Sequence, residues 1–298
     1  MAHRPGNTLK ALSLVTASLI GGLALSSNPA QASCDRELNV VYFNSDPYHY
    51  RNATEEVVGL DADILTEVLT KAGCTWRYTE MPLKRSLSAL KSGLVDIAMG
   101  ASITPDREEY ALFSQPYRRE VMVMFMRKND EPRPLFKRLA DAPEAGVVIG
   151  AHLGSWYGYE YARLYETSKT FRRQILQSAD YDTLHNAMLA GRVDVVIDDI
   201  FNGHATLSKL HRLEDADIHS APVNDSLTHF MLSKKSVSLK IMDSLDHAIM
   251  AFQQSDAYAE TIARYVPADY LTRYPILSAS PAIIPQSQDT GHMTLKAR

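Results

Sequence analysis

The chain contains few cysteines and few tryptophans, and its charge is nearly balanced. Among 298 residues there are 2 cysteines and 2 tryptophans, and the formal net charge is −4. A chain of this charge offers no basic field to a phosphate backbone, so we expect no nucleic-acid partner. The sequence also lacks a Gly-x-Ser-x-Gly elbow, a His-Glu-x-x-His zinc helix and a glycine-rich phosphate loop. We therefore expect no cofactor, no metal and no enzymatic activity.

Long apolar runs are absent except near the amino terminus. Residues 1–10 are basic, residues 11–25 are mainly apolar, and residues 30–32 read Ala-Gln-Ala. This order is typical of a secretory signal peptide with a small-x-small cleavage site, so we assign residues 1–32 to a signal and expect an exported protein. A retained membrane anchor is the alternative, but the run is shorter than the ~20 apolar residues of most spans.

The two cysteines, Cys34 and Cys74, each precede a β-rich segment, at 38–43 and 76–79. Parallel strands joined by one helix are commonly neighbours, so both thiols would begin adjacent strands at one edge. We predict a disulfide, which would stabilise the fold by roughly 3–4 kcal/mol and leave no free thiol for catalysis or a metal. A lipid anchor at Cys34 is the alternative, since residues 32–34 end like a lipobox, although Gln31 does not fit that motif.

The chain alternates β-like and helical segments in two similar series, and its length exceeds that of one typical core. In each series a helix and a glycine lead into a strand whose end is polar, which suggests two copies of one α/β architecture. The predicted strands are 39–43, 75–79, 95–99, 121–126, 147–150, 174–176, 193–197 and 229–233; the main helices are 61–72, 84–92, 161–167, 181–190, 239–253 and 257–265.

A polar motif follows the strand predicted at 95–99. Residues 100–107 read Gly-Ala-Ser-Ile-Thr-Pro-Asp-Arg, and residues 113–117 read Phe-Ser-Gln-Pro-Tyr. Ligands of open α/β sheets bind at the carboxyl ends of strands, and a guanidinium can donate two parallel hydrogen bonds to a carboxylate. Arg107 is thus a candidate carboxylate receptor. The alternative is a Ser-Thr-Pro turn capped by a surface arginine.

Together with residues 58–64, 81–83, 93–96 and 234–235, these motifs resemble the periplasmic solute-binding proteins of family 3, the receptors of amino-acid ABC importers. The resemblance covers residues 38–265. It implies an α/β, two-lobed periplasmic binding protein fold of type II, in which each lobe is a mixed, mainly parallel sheet flanked by helices. Lobe 1 would comprise 33–117 and 228–274, lobe 2 would comprise 118–227, and two hinge crossings would lie near 114–120 and 222–227. We expect a disordered tail at 275–298.

The resemblance also implies a ligand site. Arg107 would bind the ligand carboxylate, Ser102 would help to hold it, and the carbonyl of Gly100 would accept from the ligand ammonium. Asp199 would pair with that ammonium from the second lobe, with Asp198 as the competitor, because neighbouring strand residues point in opposite directions. The acidic pair could instead cap the helix that begins near Phe201.

Further residues would line the pocket. Backbone amides after Gly154 would complete the carboxylate site, although Trp156 is larger than the residue usual in the family and could reshape the pocket. Several residues, Met81, Leu83 and Tyr48 among them, could belong to the core instead. The candidates are Tyr42, Ser45, Tyr48, Met81, Leu83, Ser155 and Trp156.

The resulting prediction is a periplasmic, monomeric receptor that captures an amino acid or a related small polar solute between closing lobes. Its partner would be an inner-membrane ABC permease. An accessory binding protein of a periplasmic oxidoreductase or sensor system is one alternative. The other is a dehydratase-like enzyme on the same fold, with His49 and His152 as its acid and base.

Overall fold

The computed structural model describes residues 34–128, 136–221, 223–268 and 271. The strands in this part of the chain are β1 Leu38–Tyr42, β2 Tyr50–Arg51, β3 Val57–Val58, β4 Trp76–Glu80, β5 Ile97–Ala101, β6 Ala111–Phe113, β7 Arg118–Arg127, β8 Ile149–His152, β9 Ile175–Ser178, β10 Val195–Asp199, β11 Ala216–Ile218 and β12 Asn224–Ser233. The α-helices are α1 Leu60–Lys71, α2 Leu83–Ser92, α3 Pro105–Glu108, α4 Gly158–Thr167, α5 Lys169–Gln174, α6 Tyr181–Leu189, α7 Ile200–Lys209, α8 Leu239–Gln253 and α9 Asp256–Tyr265.

Within these residues, one mixed sheet of ten strands forms the centre of the protein, in the order β4, β1, β5, β12, β7, β10, β8, β9, with β6 on β12 and β11 on β7. The strands β4, β1 and β5 are parallel, and so are β10, β8 and β9. The long strands β7 and β12 pair with each other in antiparallel fashion where these two parallel groups meet.

Helices pack on this sheet through the apolar faces that the sequence predicts. In α1, Ile64, Leu65, Val68 and Leu69 recur at three- and four-residue spacing and are at most 1% exposed. Helix α8 buries Leu245 in the same core, and α9 buries Ile262 there. The predicted bounds of α8 agree with the structure, and those of α9 differ by one residue.

Three central strands begin two residues later than predicted, namely β5, β8 and β10. At the start of β5, the Asp96 carboxylate accepts from the Asn39 amide at 2.7 Å, while the Asp96 amide donates to the Asn39 carbonyl at 2.8 Å. Asp194 makes the same two bonds with Val148 ahead of β10. In both places an aspartate side chain replaces one rung of the backbone ladder, so the regular strand starts after it. This shared detail is what two copies of one architecture would produce.

The predicted disulfide between Cys34 and Cys74 is present, with a Cα–Cα distance of 5.0 Å. The strands that follow the two cysteines, β1 and β4, are parallel neighbours, as their positions in the sequence indicated. Because the Cys34 sulfur is bonded to Cys74, it is not available for a thioether to lipid.

Three of the predicted features include residues that the structure does not describe. The signal peptide at 1–32 and the tail at 275–298 lie outside the described residues, as does Pro222 in the second predicted crossing. A search of the described helices found none with the length and apolar character needed to cross a membrane.

Candidate functional site

The carboxyl ends of β1, β5, β8 and β10 meet at one cavity of about 60 Å³. This is the edge of an α/β sheet at which ligands are expected. Nine of the eleven residues predicted to bind the ligand or line its pocket contribute to the wall, and the exceptions are Met81 and Tyr42. The nine are Ser45, Tyr48, Leu83, Gly100, Ser102, Arg107, Ser155, Trp156 and Asp199.

Arg107 lies in α3, a single helical turn that Thr104 caps by accepting from the Arg107 amide. The turn holds the guanidinium against two carbonyls, because Nη1 donates to Ser102 at 3.0 Å and Nη2 to Gly154 at 3.5 Å. No carboxylate of the described residues forms an ion pair with Arg107. Burial lowers its pKa, although an arginine stays protonated at neutral pH. The cavity wall therefore contains a cation that can still pair with an anion.

A second arginine, Arg118, faces the same cavity from the first position of β7. It is 2% exposed, and its Nε and Nη2 donate to the two carboxylate oxygens of Asp61 at 2.6 and 3.0 Å. The ring of Tyr48 covers the guanidinium at 3.7 Å. Burial opposes the charge of Arg118, but the Asp61 carboxylate outweighs it and raises the pKa of Arg118 well above its usual range. This arginine is fully paired within the protein.

Gly100 lies directly in front of the Arg118 and Asp61 pair. Its φ of +68° is one that side chains rarely adopt, whereas a Cβ there would make ordinary contacts, 3.4 Å from Asp61 Oδ2 and 3.6 Å from Arg118 Nη2. Its amide donates to the Tyr117 hydroxyl at 2.9 Å. The backbone conformation, and not a lack of space, therefore favours glycine at this position of the motif.

Asp199, at the end of β10, accepts hydrogen bonds at both carboxylate oxygens. Oδ1 accepts from the amides of Phe201 at 2.9 Å and Asn202 at 3.3 Å, and from the Tyr48 hydroxyl. Oδ2 accepts from the Val121 amide at 3.2 Å. Asp199 is thus the N-cap of α7, as the alternative interpretation of the acidic pair expected, and it also lies in the cavity wall.

Asp198 is turned toward a buried histidine. His185 Nε2 donates to Asp198 Oδ2 at 3.0 Å, and both side chains are at most 2% exposed. Burial raises the pKa of Asp198 to about 6, although the hydrogen bond from His185 opposes that change. This carboxyl group is therefore already paired with a partner inside the protein.

Glu120 is the third acidic group of the cavity wall, and the sequence analysis assigned it no role. Its side chain is buried, and Ser102 Oγ donates to its Oε2 across a long 3.4 Å. Burial raises the pKa of Glu120 to about 8, with Arg118 opposing the change and Asp199 adding to it.

A sequence signal for this cluster does exist. Arg118 and Glu120 are two residues apart at the start of an apolar strand, so their side chains share one face. Arg119, between them, points the other way and pairs with the exposed Asp225.

The loop after β8 forms the opposite side of the cavity. Gly154 has a φ of +96°, and the Ser155 amide donates to the His152 carbonyl at 3.3 Å within the turn. The Trp156 ring lies in the cavity wall and packs edge-on against Tyr159, with their centroids 5.1 Å apart. The large residue that departs from the family pattern thus does contact the cavity.

Met81 and Tyr42 lie away from the cavity, whereas Leu83 contributes to its wall. Met81 packs against the small core cluster formed by α2 and the neighbouring strands, in agreement with the alternative that it belongs to the core. Tyr42 is 1% exposed, and its hydroxyl donates to Glu80 at 2.8 Å.

The two histidines considered for catalysis are both buried and hydrogen-bonded. His49 Nδ1 donates to the Phe43 carbonyl at 2.7 Å, and His152 lies between the rings of Phe43 and Tyr181. Burial lowers the pKa of His49 and lowers that of His152 to about 4. Both rings are thus held by contacts within the protein, and His49 in addition lies in the cavity wall.

Comparison with known proteins gives relatives along most of the chain. The probable amino-acid ABC transporter periplasmic-binding protein of Sinorhizobium fredii is 23% identical over 274 residues, which cover 89% of this chain and 87% of that protein. The histidine-binding periplasmic protein of Salmonella typhimurium is 24% identical over 162 residues, which cover 51% of this chain and 56% of that protein. The chain spans about half the length of the first curated relatives that it matches.

The solved structures have the same fold. The arginine-, lysine-, histidine-binding protein from the thermophilic bacterium Geobacillus stearothermophilus superimposes with a TM-score of 0.64 at 20% identity, over 80% of this chain and 100% of that chain. The expected α/β fold of the type II periplasmic binding proteins is therefore confirmed. The family model of the bacterial extracellular solute-binding proteins, family 3, matches residues 38–268. That match covers well over half of the sequence, and the chain therefore belongs to the bacterial extracellular solute-binding proteins of family 3.

Proposed function

We propose that this protein is a periplasmic receptor that binds an amino acid or a related small polar solute and delivers it to an inner-membrane ABC permease. Family membership supports a solute-binding receptor. The amino-acid class is supported by relatives whose names give histidine or arginine as the bound solute. On this proposal the protein has no catalytic step, and its cavity binds the solute unchanged.

The observation that most directly supports an amino acid is that groups able to carry opposite charges line one cavity. Arg107, which has no carboxylate partner among the described residues, lies on one wall, and Glu120 and Asp199 line the same space. A zwitterion presents both charges within a few ångströms, and desolvating either without a partner would cost several kcal/mol. The cavity offers a partner to each.

We further propose that residues 33–117 and 228–274 form one lobe and residues 118–227 the other, with the cavity between them. Contacts across this division are numerous. Asn202 Nδ2 donates to Ser45 Oγ at 3.1 Å and to the Asp46 carbonyl at 2.8 Å, and Tyr48 donates to Asp199. Such contacts are expected of a closed form, and a solute that contacts both lobes would shift the population toward it.

A thermal-shift and calorimetric screen tests this proposal. The protein is refolded from denaturant to remove carried-over solute and is then screened against the twenty L-amino acids, polyamines and small organic acids. A ligand that binds only the folded state raises the melting temperature, so one or a few amino acids are expected to do so. The Arg107→Ala variant should lose this shift, whereas Arg77→Ala, which changes an arginine outside the cavity, should retain it. No shift with any amino acid would contradict the proposal.

Delivery to a permease needs a separate measurement. We expect the ligand-loaded protein to stimulate ATP hydrolysis by its cognate importer in proteoliposomes, and the ligand-free protein to do so less. The Arg107→Ala variant is the control, since it should fold but fail to load. Equal stimulation by loaded and empty protein would argue against a role in import.

A further inference from the structure

The three carboxyl groups in the cavity wall differ in the number of hydrogen bonds that they accept from the described part of the chain. Asp199 accepts from three backbone amides and one hydroxyl, and Asp198 from His185 and the Asp199 amide. Glu120 accepts a single long hydrogen bond, from Ser102 Oγ at 3.4 Å, and forms no ion pair there. It is nevertheless only 8% exposed. Of the three, Glu120 is therefore the carboxyl group with the most capacity left to accept from a ligand.

The charged groups that face Glu120 do not supply this missing partner. Arg118 on β7 is committed to Asp61 on α1 by two hydrogen bonds of 2.6 and 3.0 Å. Arg107 on α3 donates to backbone carbonyls, and its charge acts on Glu120 less strongly than that of Arg118 does. Asp61 and Asp199, at the end of β10, repel a negative charge at Glu120, and Tyr181 on α6 also interacts with it electrostatically.

We propose that Glu120 receives the ammonium group of the bound solute, and that Asp199 acts as a positioning residue that holds Tyr48 and the start of α7. This inference rests on the proposed function, because it assigns one end of the same amino-acid site whose other end is Arg107. The family resemblance favours Asp199 as the residue that binds the ammonium group. The present assignment gives this role to Glu120, near the start of β7.

If the ammonium group binds at Glu120, ligand binding is coupled to the protonation of this side chain. Burial raises the pKa of Glu120 to about 8, so in the free protein at pH 7 its carboxyl group is mainly protonated. An ammonium group that binds beside it favours the carboxylate and lowers that pKa. Binding then releases a proton, and affinity rises as the pH increases toward 8 and levels off above it.

The test uses calorimetry with the twenty L-amino acids as probes and, for the one that binds most tightly, the matching 2-hydroxy acid, which lacks the ammonium. Titration in two buffers of different ionisation enthalpy counts the protons released. For the wild-type protein at pH 7 we expect close to one proton per amino acid. The Glu120→Gln variant should release none and should bind the amino acid at least tenfold more weakly. It should bind the 2-hydroxy acid within about twofold of the wild-type protein.

Three results would overturn the inference while leaving the proposed function intact. They are an unchanged amino-acid affinity in Glu120→Gln, proton release that persists in that variant, and an equal loss of affinity for the amino acid and the 2-hydroxy acid. If no amino acid binds to the wild-type protein, both the proposed function and this inference are wrong. Asp199→Asn serves as the comparison, because loss of a positioning residue should lower the affinity for the amino acid and for the 2-hydroxy acid to a similar extent. Proton release should persist in this variant, although reduced, because loss of the Asp199 charge lowers the pKa of Glu120.

Discussion

Two regions of the molecule each direct an arginine into the same cavity, and they use it in opposite ways. At the start of β7, Arg118 is bonded to Asp61 and covered by Tyr48, so its charge is neutralised inside the protein. At the motif after β5, the hydrogen bonds that Arg107 donates within the described residues go to the carbonyls of Ser102 and Gly154. Burial alone therefore does not mark a ligand-binding arginine. The distinguishing feature is whether the protein has already supplied the carboxylate.

A substitution of Arg118, which pairs with Asp61, should have the largest effect on folding stability. Arg118→Met leaves the buried Asp61 carboxylate without its partner, which typically costs about 3–5 kcal/mol of folding stability. Urea denaturation measures this loss. Arg107→Met, the matched change in the other region, should cost less than about 1 kcal/mol, since no described carboxylate loses an ion pair. Similar losses for the two variants would remove the distinction between the regions.

The region around Arg107, which has no ion-pair partner among the described residues, should determine the affinity for the ligand. Arg107→Lys keeps the charge but loses the two-pronged donor, and Arg107→Ala loses both, so affinity should fall in that order. Removing one partner of a buried charge pair at an interface costs about 2–5 kcal/mol, which is the range we expect for Arg107→Ala with the amino acid found by screening. Isothermal titration measures it. Wild-type affinity in Arg107→Ala would show that the ligand carboxylate binds elsewhere.

Glu120 should make the folding stability of the protein depend on pH. Its pKa is about 8 in the folded protein and near the usual 4.5 in the unfolded chain, so between these values the folded protein holds a proton that the unfolded chain has lost. Stability must then fall as pH rises across this window, by about 1.4 kcal/mol per unit from this group. Glu120→Gln should remove that contribution, so that its stability relative to the wild type increases from pH 6 to pH 7. A parallel pH profile for the two proteins would contradict the prediction.

The smallest expected effect concerns Tyr48, which contacts both Arg118 and Asp199. Tyr48→Phe keeps the ring over Arg118 but removes the hydroxyl that donates to Asp199. Asp199 still accepts from three amides, so we expect a loss of about 1 kcal/mol, typical of one hydrogen bond. Tyr48→Leu, which also removes the ring, should cost more. Chemical denaturation of both variants separates the two contributions.

Much of the fold could be predicted from the sequence, because periodic apolar residues and glycine-terminated helices are local signals. The bounds of α8 and the edge pairing of β1 with β4 through Cys34 and Cys74 are examples. The start of β5 was predicted two residues early. The apolar pattern cannot show that the Asp96 carboxyl group replaces a rung of the ladder.

The candidate site was predicted less completely. The motif around Arg107 was found because its residues are consecutive, and the structure places it at a cavity. The pairing of Arg118 with Asp61 joins residues 57 positions apart, and no local pattern reports such a contact. The use of Asp199 as a helix cap and the burial of Glu120 likewise depend on which elements meet in three dimensions.

The strands β7 and β12 are each ten residues long and are hydrogen-bonded to each other from Asn224 to Thr228. Arg118 faces Thr228 and Glu120 faces Ser226 in this ladder. The residues that balance charge in the cavity are thus also the residues at which the two parallel groups of strands are joined. A substitution of Glu120 that changed ligand specificity would at the same time alter the pairing of β7 with β12. Under the lobe closure that we propose, the solute range and the closing motion would therefore change together during evolution, whereas the loop around Trp156 could vary with less effect on that motion.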